Sequence, residues 1–179
     1  MVKRLKRFFD FASLMSIGVW ALSAAPQPIR PSPLSIGSGA PVVQAVTLDG
    51  TPFDGSTMLT TGLSSSPGRV FLTFFSTTCH WSEAELPYLA EFARVRTDVT
   101  VIAVNYGKES AEAVKAYVAE HDMPFTVLLD PNGDVTRAYQ VGVTPTTFVI
   151  EGGRVRFTRQ GGGPNLSVEK LSLWADYGN

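Results

Sequence analysis

The 179-residue chain has a single cysteine, Cys79, and only two histidines, His80 and His121. One thiol can neither close an internal disulfide nor build a cysteine-based zinc site. The two histidines lie far apart, outside any HExxH spacing, so the sequence offers no metal constellation. Charge is sparse, with 17% charged residues and a net charge of −1. Without a basic block, nothing marks a nucleic-acid binder. No glycine-rich phosphate loop follows a strand pattern; Gly161-Gly-Gly163 reads as a turn. No Ser-His-Asp order suggests a hydrolytic triad. Apolar residues are plentiful, at 44%. The length suits one domain with extra segments at its ends.

Positive charge concentrates at the start, in Lys3, Arg4, Lys6 and Arg7. An apolar run from Phe11 to Ala25 follows, closed by Ser23-Ala-Ala25 and then Pro-Gln-Pro. This is the layout of a secretory signal, with an uncleaved membrane anchor as the alternative because Pro26 follows the expected cut. The run is shorter than the roughly 20 residues of a spanning helix. No cysteine ends it, which excludes a lipoprotein. Without residues 1–25 the chain carries 11 basic and 15 acidic residues, a net charge of −4. Residues 26–40 hold four prolines and three serines and read as an extended linker. The folded domain is expected over residues 41–179.

Within it the pattern predicts a strand over 42–47, a turn at Leu48-Asp-Gly50 and a loop over 55–69. Residues 69–75, Arg-Val-Phe-Leu-Thr-Phe-Phe, suit a strand buried on both faces. Leu86, Leu89 and Phe92 then recur at helical spacing, predicting a helix over 80–95, with Pro87 inside it costing a backbone bond or a kink. Further strands are expected at 99–104 and 125–129 and helices at 110–121, 135–139 and 167–177. Residues 146–158 read as a hairpin about Gly152-Gly153. Strands alternating with helices, closed by a hairpin, predict a mixed α/β sheet flanked by helices.

Cys79 falls where the strand expected over 69–75 passes into the helix expected over 80–95. Free N–H groups and the helix dipole there favour a thiolate, while Glu83 and Glu85 oppose it, leaving the net direction open. His80 would reinforce the thiolate if protonated. Taken in isolation, a lone cysteine is most often a buried structural residue.

The segment Cys79-His-Trp-Ser82-Glu-Ala-Glu85-Leu-Pro87 resembles the C-x-x-C-x-x-E-x-P motif of the TlpA/ResA-like thiol–disulfide oxidoreductases, a branch of the thioredoxin superfamily. Leu48-Asp-Gly50, Val101-Ile-Ala-Val-Asn105, Pro124-Phe-Thr-Val-Leu-Leu-Asp130 and Tyr139-Gln-Val-Gly-Val-Thr-Pro145-Thr-Thr-Phe resemble further family segments in the same order. The likeness covers about residues 38–177. It implies a thioredoxin-like fold with an N-terminal hairpin and a βα insert. Cys79 would be the nucleophile, tuned by His80 and Ser82, and Glu85 a proton handler. Pro145 would be cis, shaping a substrate groove with Thr144 and Trp81. The family implies no cofactor. Its partners would be cysteine-containing exported proteins or an external thiol, in the periplasm or otherwise outside the cytoplasm, with the N-terminal segment as a membrane tether.

The departure lies at Ser82, where the family places its second cysteine. A serine cannot resolve a mixed disulfide. Cys79 would then exchange as a monothiol or hold clients in long-lived mixed disulfides, or Ser82 would be an engineered trap. Two other classes stay open. One is a redox-inert peptide-binding module on the same fold. The other is a single-cysteine peroxidase, whose motif is half present: Ser76 precedes Cys79 by three, but Leu72 stands where that motif has proline.

Overall fold

The computed structural model describes residues 32–57, 68–107 and 109–177. The N-terminal basic and apolar segment, the first part of the linker and most of the expected 55–69 loop lie outside them. Among the described residues no helix is long and apolar enough to cross a membrane.

Seven strands form one mixed sheet. Its centre is parallel: β3 (Arg69–Phe75), β4 (Val99–Asn105) and β5 (Thr126–Leu129). β6 (Thr146–Glu151) runs antiparallel to β3, and β7 (Arg154–Gln160) pairs with β6 through the Gly152-Gly153 turn. On the far side, β1 (Gln44–Thr47) pairs antiparallel with β5, and β2 (Pro52–Asp54) closes that edge. The order is β2-β1-β5-β4-β3-β6-β7.

The central strands are apolar on both faces because both faces are covered. Along β3, Val70, Leu72 and Phe74 point to one side and Phe71 and Phe75 to the other. The second side carries α1 (His80–Val95), α2 (Ala111–Glu120) and α4 (Val168–Tyr177), which contribute Leu86, Leu89, Phe92, Val114 and Leu171 to the core. Helices between parallel strands keep this face dry. The first side is covered by α3 (Asp134–Ala138), by Tyr139 and Val141, and by the chain around Leu34–Val43.

That covering chain starts before Pro41. Gly37 N–H donates to Val155 O, Val155 N–H to Ser38 O and Ala40 N–H to Gly153 O, so residues 37–40 run along β7. Tyr139 Oη donates to Pro41 O at 2.7 Å. The prolines and serines that read as a linker thus include residues packed on the domain.

α1 spans the residues its periodicity predicts. Pro87 lies on its exposed side and the helix continues through it. The proline ring leaves the Glu83 carbonyl without its helical donor, a cost that solvent on that side offsets. β2, the second strand of the N-terminal hairpin that the resemblance implied, has no hydrophobic pattern of its own: it is three residues long, starts with proline, and exposes two of the three.

Candidate active site

β3 ends at Phe75, and the turn Ser76–Thr78 carries the chain to Cys79, the N-cap of α1. Cys79 is extended, with φ −93° and ψ 112°, while its carbonyl already accepts from Glu83 N–H at 3.0 Å. The thiol therefore faces the open N–H groups of the first helical turn. It is partly exposed, and its Sγ–H donates to Thr144 O at 3.3 Å. Burial pushes the thiol up. The Thr144 hydroxyl, the Ser82 N–H and hydroxyl, and the Trp81 N–H pull it down and prevail, so its pKa lies below that of an ordinary cysteine. The direction left open by the sequence is therefore downward.

Ser82 is fully buried beneath the thiol, and its Oγ accepts a long bond from Ser76 N–H at 3.4 Å. His80 is exposed and lies against the Trp81 ring, centroids 5.4 Å apart. Trp81 is 43% exposed. The Thr144–Pro145 bond is cis, the geometry the resemblance implies. Pro145 O accepts from Gly161 N–H at 2.7 Å, which ties the glycine loop to the proline loop. Gly162 then backs Trp81 so closely that an added Cβ would fall 2.5 Å from the Trp81 Cβ. Cys79, Trp81, Thr144 and Gly161-Gly162 thus share one rim. Gly162→Ala is expected to force Trp81 off this rim. Its indole N–H resonance should move while that of Trp174 stays; an unmoved Trp81 signal would refute the packing.

Glu85 is buried at 3% exposure. Its carboxylate accepts from Thr147 Oγ1 at 3.3 Å and from Arg159 Nη1 at 3.2 Å. Burial raises its pKa, and the Arg159 charge and these two bonds offset part of the rise. Arg159 also lies 4.8 Å over the Trp174 ring. Ser76, the residue of the half-present peroxidase motif, directs its hydroxyl to Glu109 and Thr78. His121 caps α2, with Nδ1 2.9 Å from Tyr117 O.

Arg159, Gly162 and Glu109 escaped the sequence reading. Glu109 had one faint signal: an acid in the glycine-containing loop after a buried strand. Two clefts of about 370 and 300 Å³ lie along the β1–β2 hairpin and the Asp130–Gly133 loop, and Cys79 lines neither.

The AhpC/TSA family model matches residues 36–158, from the strap on β7 through β7 itself. The chain belongs to the AhpC/TSA family. Among relatives, the thiol-disulfide oxidoreductase ResA of Geobacillus kaustophilus is 36% identical over 92 residues, covering 50% of this chain and 52% of that protein. A thiol:disulfide interchange protein DsbE homolog of Paracoccus denitrificans is 32% identical over 147 residues, 81% of this chain and 76% of that one. The structure of a secreted Mycobacterium tuberculosis disulfide oxidoreductase homologous to E. coli DsbE superposes with a TM-score of 0.61 at 26% identity, covering 73% of this chain and 91% of that one. This AhpC/TSA-family chain spans about half to two thirds of the length of most curated relatives it matches. Its fold is thioredoxin-like, and its likeness is to the ResA/DsbE branch of the thioredoxin superfamily, as the motifs implied.

Proposed function

We propose that this protein carries out thiol–disulfide exchange on proteins outside the cytoplasm, with Cys79 as its one nucleophile. The observation that carries this reading is the placement of the thiol: at a helix N-terminus, surface-accessible, and lowered in pKa by Thr144, Ser82 and Trp81. The relatives named thiol-disulfide oxidoreductase, thiol:disulfide interchange protein and secreted disulfide oxidoreductase support both the chemistry and the location. The basic and apolar N-terminal segment supports export, cleaved or kept as a tether.

The chemistry at Cys79 is two exchanges. The Cys79 thiolate attacks one sulfur of a client disulfide; a Cys79–client disulfide forms, and the other client sulfur leaves with the electron pair and takes a proton from water. Ser82 has no sulfur to attack this bond. A second thiol, from a small molecule or a partner protein, attacks instead, forms its own disulfide with the client and returns the Cys79 thiolate. A second molecule of that thiol then attacks the client–thiol disulfide away from Cys79, so the client leaves as a dithiol and the two external thiols leave joined as their own disulfide. Ser82 and His80 tune the nucleophile, the first by hydrogen bonding. Thr144 and Pro145 with Trp81 form the surface on which the client lies. Burial readies Glu85 to take up a proton.

The test is adduct formation with an aromatic disulfide, followed by intact mass and absorbance between pH 5 and 9. The wild type should gain one adduct with a midpoint below the free-thiol value of about 8.5 and keep it until a thiol is added. Cys79→Ala should gain none. A folded wild type that reacts only above about pH 8.5 would overturn the exchange reading and favour a redox-inert binding module.

A further inference from the structure

The turn before the nucleophile is held by a residue from another strand. Residues 76–78 connect β3 to α1 and contain no regular backbone ladder. What fixes them is the Glu109 carboxylate, which reaches across from the loop after β4. Its Oε1 accepts from Ser76 Oγ at 2.7 Å and from Thr77 N–H at 3.1 Å, and its Oε2 accepts from Thr77 N–H at 3.2 Å. Oε2 also accepts a short bond from Nδ2 of Asn105, which is buried at the end of β4. The strands that bring these groups together are parallel neighbours, with Phe75 opposite Asn105. Ser76 passes the restraint on, its Oγ bonded to Thr78 Oγ1 at 3.0 Å and its carbonyl to Cys79 N–H at 3.2 Å.

We infer that Glu109 is a positioning residue for the nucleophile: it anchors the Ser76–Thr77 turn to β4 and so sets the Cys79 sulfur against the N–H groups of α1 and the Thr144 loop. The role rests on the exchange reading above. An acceptor that meets three donors through four contacts, on both of its oxygens, suits a carboxylate; an amide would turn an NH₂ group toward at least one of them. The helix N-terminus lowers a thiol only when the sulfur is held close, because the effect fades within a turn.

The sign of the effect separates positioning from simple charge. The titratable groups near the thiol include His80, Glu83 and the buried Glu85 on its own helix, Glu109 itself, and Tyr117 on α2, which feels Glu83, Glu120, Glu109 and Cys79. A negative charge near a thiolate opposes it. If Glu109 acted through charge alone, neutralising it would lower the thiol pKa and speed the reaction. If it positions the sulfur, neutralising it does the reverse.

The experiment measures Cys79 alkylation against pH in the full chain, for wild type, Glu109→Gln, Ser76→Ala and Glu112→Gln, with a thermal midpoint for each. Glu112 is an exposed acid in the first turn of α2 and controls for lost charge. Glu109→Gln is expected to raise the alkylation midpoint by about one pH unit and slow the reaction about tenfold at pH 6, since the thiolate fraction falls tenfold per unit there. Ser76→Ala, which removes one of the bonds and leaves the carboxylate in place, should shift the same way by less; it carries the test if Glu109→Gln fails to fold. Glu112→Gln should match wild type. An unshifted or faster Glu109→Gln beside a depressed wild-type thiol overturns the role and leaves the exchange reading intact. A wild-type thiol with an ordinary midpoint overturns both.

Discussion

In Ser82→Cys, a mixed disulfide on Cys79 is expected to disappear at least about a thousandfold faster than in the wild type, because an intramolecular thiol at reacting distance acts with a very high effective concentration. The geometry for this is already in place. Position 82 follows Cys79 by three residues at the start of α1, so the two share a face of the first turn. The Ser82 N–H and hydroxyl both act on the sulfur. Exchanging oxygen for sulfur needs little room, although the site is fully buried and a small packing cost is expected. The measurement is release of an aromatic or peptide thiol from the preformed adduct, by absorbance and intact mass, without added reductant. Wild type should hold the adduct; Ser82→Cys should discharge it and finish as a 79–82 disulfide two mass units lighter than its dithiol. A Ser82→Cys protein that keeps the adduct as long as wild type would show that position 82 cannot reach the sulfur. Under the proposed exchange, the serine would stop the cycle at the covalent complex until a second thiol arrives.

Arg159→Met is expected to destabilise the protein by about 3 kcal/mol near neutral pH, the low end for removing one partner of a buried ion pair, since Arg159 keeps some exposure. Methionine preserves much of the apolar stem and its contact with Trp174, so lost packing contributes little. The cost should depend on pH. Burial holds the Glu85 carboxyl above its ordinary value in the folded state, with Arg159 and Thr147 opposing the rise. A carboxyl raised on folding contributes fully when protonated, below its unfolded value of about 4.3, and that contribution is lost as pH rises through the folded value. Removing Arg159 raises the folded value further, so the loss extends to higher pH. Urea unfolding at pH 5 and pH 8 should therefore show the larger penalty at pH 8, and Glu85→Gln added to Arg159→Met should recover much of it. Equal penalties at the two pH values would mean that Glu85 is not the group left uncompensated.

The two expectations rest on different residues around the start of α1, and these were unequally visible in the chain. Helix α1 was legible because Leu86, Leu89 and Phe92 keep the 3.6-residue period and bury on one side. β3 and β4 were legible as unbroken apolar runs, which only a strand covered on both faces requires. From these two elements the position of Cys79 follows, since a residue between a buried strand and an amphipathic helix must sit at the helix start. The departure at Ser82 is likewise a property of the chain alone. The partners of that site are not. Glu109 lies 33 residues after Ser76, and Arg159 lies 74 residues after Glu85. Gly162 meets Trp81 only because Pro145 O holds Gly161. Hydrophobic periodicity records which way a residue faces within its own element; it carries no record of which strand lies next to which. The order β4-β3-β6-β7 brings Glu109 to one flank of the thiol and Arg159 and Gly162 to the other. The balance of burial against hydrogen bonds that lowers the thiol's pKa exists only once those strands are paired.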